Sequence, residues 1–120
     1  MADVSTEQDL RFHMVCSLDD LWAGEMQVFD VAGVEVLIVH TEDGTVTAVQ
    51  AVCPHQAVSL VEGTLCGRIL TCPMHLWDMD VVSGKGINPA HAELARYPVE
   101  TRDGNIYVAL GDVEPKFSRP

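Results

Sequence analysis

Two short stretches constrain this chain more than any other feature. Cys53-Pro54-His55 is followed, after residues 56–71, by Cys72-Pro73-Met74-His75, a spacing of C-x-H-x16-C-x-x-H. Each half offers one thiolate and one imidazole, two or three residues apart. Neither half can run as a regular strand and still deliver both side chains to one centre. Pro54 and Pro73 suit that break, because proline fixes φ and has no N–H to give to a ladder. Any fold of this chain must therefore interrupt its regular structure twice, with a short loop at each cysteine.

The rest of the sequence reads as β-structure. Phe12 to Cys16, Met26 to Val31, Val34 to His40 and Thr45 to Val52 are rich in Val, Ile, Thr and Phe, and several alternate in polarity. Glu42-Asp43-Gly44 and Arg102-Asp103-Gly104 are turn signals, the second leading into Ile106 to Leu110. Ser17-Leu18-Asp19-Asp20 has the form of a capping box opening one short helical turn through Trp22. Short strands punctuated by turns predict an all-β sandwich or barrel. With 120 residues the chain is expected to be one domain. A discontinuous β base, about 10–51 and 90–110, is predicted to carry an inserted ligand-bearing subdomain at about 52–88, with a loose tail at 111–120.

Composition excludes several functions. Seven basic against eighteen acidic side chains give a formal charge of −11. The acids are spread along the chain, so binding to nucleic acid or anionic lipid, which needs clustered Lys and Arg, is not expected. Acidity of this kind serves solubility, or steering toward partners with basic docking faces. No apolar run approaches the roughly 18 residues of a membrane span. The acidic, polar start Met1 to Glu7 lacks signal-peptide chemistry, which makes a cytosolic protein the expectation.

Cys53, His55, Cys72 and His75 are the candidate metal ligands, and three readings of them are open. Cys2His2 is a common zinc set, although structural zinc motifs usually begin C-x2–4-C and end H-x3–5-H. The pairs could also be unconnected in space. Or they hold a [2Fe–2S] cluster, with two His replacing two Cys on one iron. Two ferric ions, two sulfides, two thiolates and two neutral imidazoles sum to zero charge, where four thiolates leave a doubly negative core. Adding an electron to the neutral core is easier, which raises the potential into a range of about −150 to +300 mV. Cys16 and Cys66, in apolar surroundings, read as packing residues. His13 and His40 fall at strand edges and His91 in a one-turn helix, all with structural roles. Asp78 and Asp80 read as a solvated strand face. The chain has no phosphate loop, nucleophile elbow, or flavin or nicotinamide fingerprint, hence no electron source or substrate chemistry of its own.

Taken together, Cys53-Pro54-His55-Gln56, Cys72-Pro73-Met74-His75-Leu76-Trp77 and Gly86-Ile87-Asn88-Pro89 resemble the Rieske-type [2Fe–2S] ferredoxins. Within them, the resemblance is nearest to the ferredoxin component of soluble di-iron toluene and alkene monooxygenases. It runs from Cys16-Ser17-Leu18-Asp19-Asp20-Leu21-Trp22 to Tyr107-Val108. It implies a Rieske fold with one cluster, Cys53 and Cys72 on the inner iron, His55 and His75 on the outer iron near solvent. It also implies a non-catalytic, monomeric one-electron carrier, loaded by a flavin-containing NADH reductase and feeding a di-iron hydroxylase. The ferredoxin of an aromatic-ring dioxygenase is the alternative. High-potential members carry an extra disulfide-forming cysteine in each loop; Val58 and Met74 occupy those positions here. Leu76 and Trp77 replace the serine that bonds a cluster sulfur. A potential near the low end of the range is therefore expected. Trp77 is expected either in the core or at a docking face.

Overall fold

In the computed structural model, residues 11–54, 58–73, 77–88, 92–111, 113 and 115 are described. The strands are Phe12–Ser17 (β1), Glu25–Val31 (β2), Val34–His40 (β3), Val46–Gln50 (β4), Thr64–Cys66 (β5), Ile69–Thr71 (β6), Asp78–Asp80 (β7), Gly86–Asn88 (β8), Arg96–Tyr97 (β9), Val99–Arg102 (β10) and Asn105–Ala109 (β11). All pairings are antiparallel. The sheets run β1-β11-β10, β2-β3-β4-β9 and β5-β6-β7-β8. The four strands expected in the first half of the chain are present; Val34–His40 matches at both ends, and no end of the other three is off by more than two residues. The chain is all-β, as the sequence pattern implied.

Strand β3 explains how three sheets become layers. Its residues 36–39 are all buried, so the strand is covered on both faces and reads as an unbroken apolar run rather than an alternation. Val36 and Ile38 enter one core with Cys16, Leu21, Ile106 and Val108, built against the β1-β11-β10 sheet. Leu37 and Val39 point the other way, into a core with Cys53, Leu60, Cys72, Trp77 and Met79. Alternation along β4 repeats the split: Ala48 faces the first core, Val49 and Ala51 the second. The β2-β3-β4-β9 sheet is thus the middle layer. Burying a side chain such as Leu37 or Ile38 contributes roughly 1.5–3 kcal/mol.

Turn chemistry matches the pairing. Ala32 and Gly33 join β2 to β3 with φ of 50° and 89°, and Asp103-Gly104 joins β10 to β11 with 51° and 79°. Two successive positive φ values are those of the type I′ hairpin turn, whose twist fits the flanking strands. Ser17 Oγ accepts the Asp19 N–H at 2.9 Å, and Asp20 Oδ2 accepts the Ser17 N–H at 3.4 Å, which completes the capping box. The turn it opens is a 3₁₀ turn over Leu18–Asp20 and stops short of Trp22.

Residues 52–88, which looked irregular, contain a second 3₁₀ turn, Leu60–Glu62, and the whole β5-β6-β7-β8 sheet. The other two sheets pair strands from before residue 51 with strands from after residue 95. The helical turn expected at His91 lies outside the described residues, as does most of the expected tail. Among the described residues no helix is long and apolar enough to cross a membrane.

Candidate metal centre

Both cysteines of the motif are withdrawn from solvent into the same core. Cys53 is fully buried and Cys72 is 2% exposed, and they share that core with Leu60, Leu70, Trp77 and Met79. None of the four cysteines is in a disulfide. His55 and His75 lie outside the described residues. Among the described residues no group of three or more His, Cys, Asp and Glu forms a metal site.

The two cysteine loops are closed in the same way. The Cys53 N–H donates to the Val58 carbonyl at 2.9 Å, and the Cys72 N–H donates to the Trp77 carbonyl at 2.8 Å. Each bond spans five residues, so the loops enclose positions 54–57 and 73–76, and each histidine falls inside its loop by sequence. Below the first closure, Val52 bridges Ser59, and the Leu60 N–H donates to the Ala51 carbonyl at 2.8 Å. Below the second, Thr71 pairs with Asp78, and the Thr71 hydroxyl donates to Asp78 Oδ1 at 2.7 Å. Each cysteine therefore sits at the top of a short antiparallel ladder.

The stems also touch. Gly63, which ends the second 3₁₀ turn, lies so close to β6 that a Cβ built on it would stand 2.1 Å from the Thr71 carbonyl oxygen. Only hydrogen fits there. Ser59 to Gly63 forms the exit of the first loop and Thr71 immediately precedes Cys72, so this approach sets the spacing of the two stems.

Two expectations are corrected at this level, those for Cys66 and for Asp78 with Asp80. Cys66 is exposed, because Leu65 takes the inward position of β5 and its neighbours alternate outward. Cys16 is buried as expected; burial pushes its thiol up, and Asp20 adds to the effect. Asp78 and Asp80 are not a bare solvated face, since Asp78 receives Thr71 and Asp80 pairs with Arg68 at 2.9 Å. Burial pushes the Asp80 carboxyl upward. The N–H groups of Ser83 and Val82, with the Arg68 guanidinium, outweigh it and hold the group below its ordinary value. Trp77 belongs to the core at 9% exposure, whereas Trp22 is 67% exposed. His40 Nδ1 is bonded to the Leu21 carbonyl at 2.8 Å, a structural role, and His13 is a half-buried β1 residue.

Two residues at the site were not singled out from sequence: Gly63 and Gln50. Gln50 is fully buried at the end of β4, and its side chain binds the Val52 carbonyl and the Ala95 N–H. An amide closing an apolar run is a faint signal, because burial is what makes it informative.

Two cysteine-headed hairpins, closed by the same kind of backbone bond, present two buried thiols to one core, an arrangement suited to a metal cluster. Residues 11–98 match the model of the Rieske [2Fe-2S] domain. The chain belongs to the Rieske [2Fe–2S] family, whose cofactor is a single [2Fe–2S] cluster. It is 45% identical over 103 residues to the alkene monooxygenase ferredoxin component of Xanthobacter autotrophicus, covering 85% of this chain and 84% of the relative. It is 31% identical over 96 residues to ferredoxin CarAc of Metapseudomonas resinovorans, covering 79% and 90%. Among solved structures, the carbazole 1,9a-dioxygenase ferredoxin of Nocardioides aromaticivorans superposes with a TM-score of 0.75 at 30% identity, covering 82% of this chain and 97% of the other.

The described donors fit that cofactor. Thiolates are the protein ligands that iron–sulfur clusters require. Two such sulfurs stand buried in one core, unbridged to each other, on stems held at a fixed approach.

Proposed function

We propose that Cys53, His55, Cys72 and His75 hold one [2Fe–2S] cluster, with the cysteines on the inner iron and the histidines on the outer. Residues 52–88 are then the cluster-binding part of a single domain, carried on a base of about 10–51 and 90–110. The bound cluster supplies one-electron redox chemistry. The protein supplies the rest: two closed hairpins fix the thiolates, and the surrounding core excludes water from them.

The chain is an electron-transfer component and not itself a catalyst. It carries electrons from a flavin-containing NADH reductase to a di-iron hydroxylase of the toluene/alkene monooxygenase type, as a monomer in the cytoplasm. The observation that carries this is the 45% identity, over most of both chains, to an alkene monooxygenase ferredoxin. Ferredoxins of dioxygenase systems are related at lower identity, 30% for a naphthalene 1,2-dioxygenase/salicylate 5-hydroxylase ferredoxin and 30% for the carbazole 1,9a-dioxygenase ferredoxin. The net charge of −11 favours docking against basic faces, which makes association salt-sensitive.

The test is reconstitution. The reduced chain is mixed with a di-iron hydroxylase of this type, and separately with a ring-hydroxylating dioxygenase, and its reoxidation is followed by stopped-flow absorbance. Rapid reoxidation by the first and slow by the second is expected; the reverse refutes the assignment. Two iron and two sulfide per chain, lost in Cys53→Ser and Cys72→Ser, test the ligand set. A colourless zinc protein would refute it. The midpoint potential is expected near the low end of the family's range of about −150 to +300 mV.

A further inference from the structure

Gln50 is the last residue of β4, where the chain leaves the middle sheet for the first cysteine loop. Its side chain is fully buried, so water cannot stand in for its partners. The Nε2 amide donates to the Val52 carbonyl at 2.9 Å, and Oε1 accepts the Ala95 N–H at 2.8 Å. Its own backbone N–H donates to the Ala95 carbonyl at 3.0 Å. Val52 is the residue immediately before Cys53. Ala95 ends the returning segment 92–95, which is itself tied to the ligand-bearing sheet. In that segment Ala92 accepts the Gly86 N–H at 2.8 Å, and the Leu94 N–H donates to Gly84 at 2.7 Å.

One side chain thus joins three pieces: the end of β4, the entry to the Cys53 loop, and the segment that returns past the β5-β6-β7-β8 sheet. A backbone ladder cannot do this at that point, because β4 pairs with β9 only through Ala48 and Val49. Past Val49 the backbone makes one more bond, from the Gln50 N–H to the Ala95 carbonyl, and the return donor, the Ala95 N–H, is taken by the side-chain Oε1 of Gln50.

We propose that Gln50 is a positioning residue for the metal centre: it fixes the Val52 carbonyl, and through it the place of Cys53, against the returning chain. The proposal rests on Cys53 being a cluster ligand. An apolar replacement of similar volume fills the space but leaves the Val52 carbonyl and the Ala95 N–H buried without that partner. The peptide ahead of Cys53 then keeps only its N–H bond to the Val58 carbonyl, and the direction of the thiolate is held less tightly.

The experiment compares holoprotein of the wild type, Gln50→Met and Gln50→Asn, with Ile106→Val as a control. Ile106 lies in the core on the other side of the middle sheet. Readouts are far-UV circular dichroism, thermal midpoint, iron content, the EPR spectrum of the reduced centre, and the rate of bleaching by excess iron chelator. In Gln50→Met, bleaching is expected to accelerate about tenfold, the low end of what lost outer support costs a metal site. Its EPR lines broaden as the thiolate geometry becomes heterogeneous. Gln50→Asn folds with its amide too short to span both partners, and falls between. Ile106→Val lowers the thermal midpoint and leaves bleaching and EPR as in the wild type.

Wild-type bleaching and EPR in Gln50→Asn, and in Gln50→Met where it folds, would overturn the proposal. So would an equal acceleration by Ile106→Val, since the effect would then be global stability. A wild-type chain without iron would overturn the ligand assignment and this proposal with it. A loaded wild type with unaltered Gln50 variants overturns the role of Gln50 alone.

Discussion

Replacing Gly63 by Ala adds a single methyl group and is expected to disturb the metal centre more than its size suggests. The backbone at Gly63 has φ −85° and ψ −163°, an extended conformation open to alanine, so no conformational penalty is involved. Space is the obstacle. The new Cβ would stand 2.1 Å from the Thr71 carbonyl oxygen, 3.2 Å from its carbon and 3.2 Å from the Leu60 oxygen, where ordinary contact begins near 3.4 Å. The stems must part by more than 1 Å. What blocks the methyl is backbone within β6, not the end of a flexible side chain. Overpacking of this kind costs about 1–3 kcal/mol, and a backbone obstacle puts the cost near the upper end. At about 4 °C per kcal/mol, the thermal midpoint falls by about 12 °C. Iron per chain falls as well, because Thr71 precedes Cys72, a proposed cluster ligand. The control is Gly67→Ala at the β5–β6 turn, where φ is +62° and nothing lies within 4 Å. There the left-handed backbone alone costs about 1–2 kcal/mol and the iron content is unchanged. Thermal melts and iron assays on both variants decide the matter. A Gly63→Ala protein melting within about 3 °C of the wild type, fully loaded, would refute the close-approach reasoning.

Three further outcomes are expected. In the native holoprotein a single thiol should react promptly with DTNB, that of exposed Cys66, because Cys16, Cys53 and Cys72 are buried and the Cys16 thiol is pushed up by burial and then by Asp20; reactivity surviving Cys66→Ser would contradict this. The depressed Asp80 carboxyl contributes stability above the ordinary carboxyl range, and that contribution is lost as pH falls below about 4. In urea melts the gap between wild type and Asp80→Asn should therefore be full at pH 7 and close below about pH 4; a gap that widens on acidification would reverse the sign. Iodide should quench the fluorescence of Trp22, 67% exposed, and spare Trp77, 9% exposed; iodide quenching undiminished in Trp22→Phe would place the exposed indole at Trp77.

The parts of the fold legible in the sequence are those whose causes are local. Asp103-Gly104 specifies its hairpin because a type I′ turn needs two residues that tolerate positive φ, and the strands on either side follow from it. The capping box at Ser17 is likewise a matter of four adjacent residues. Strand β3 was legible as a strand, yet its continuous burial says only that both faces are covered, not by what. The strands β5 to β8 are three residues each, too short to show a period, and prolines and glycines around them mask the pattern.

What the sequence does not expose is whatever depends on approach from far along the chain. Cys66 sits between Leu65 and Gly67 and reads as apolar, but the facing of β5 was decided by Leu65 meeting Leu70 across the pair, which sends Cys66 to solvent. Gly63 looks like an ordinary turn glycine until Thr71 is brought against it, eight positions later. Gln50 is less visible still, since its partner Ala95 is forty-five residues away and offers only backbone. The proposed thiol and imidazole ligands could be picked out because their chemistry is rare and their spacing short. Their supports use a hydrogen atom in one place and an amide in another, groups common in any protein. A chain can therefore keep the complete ligand motif and still fail to hold its metal, and the Gly63 and Gln50 variants are where that separation between possessing ligands and positioning them becomes measurable.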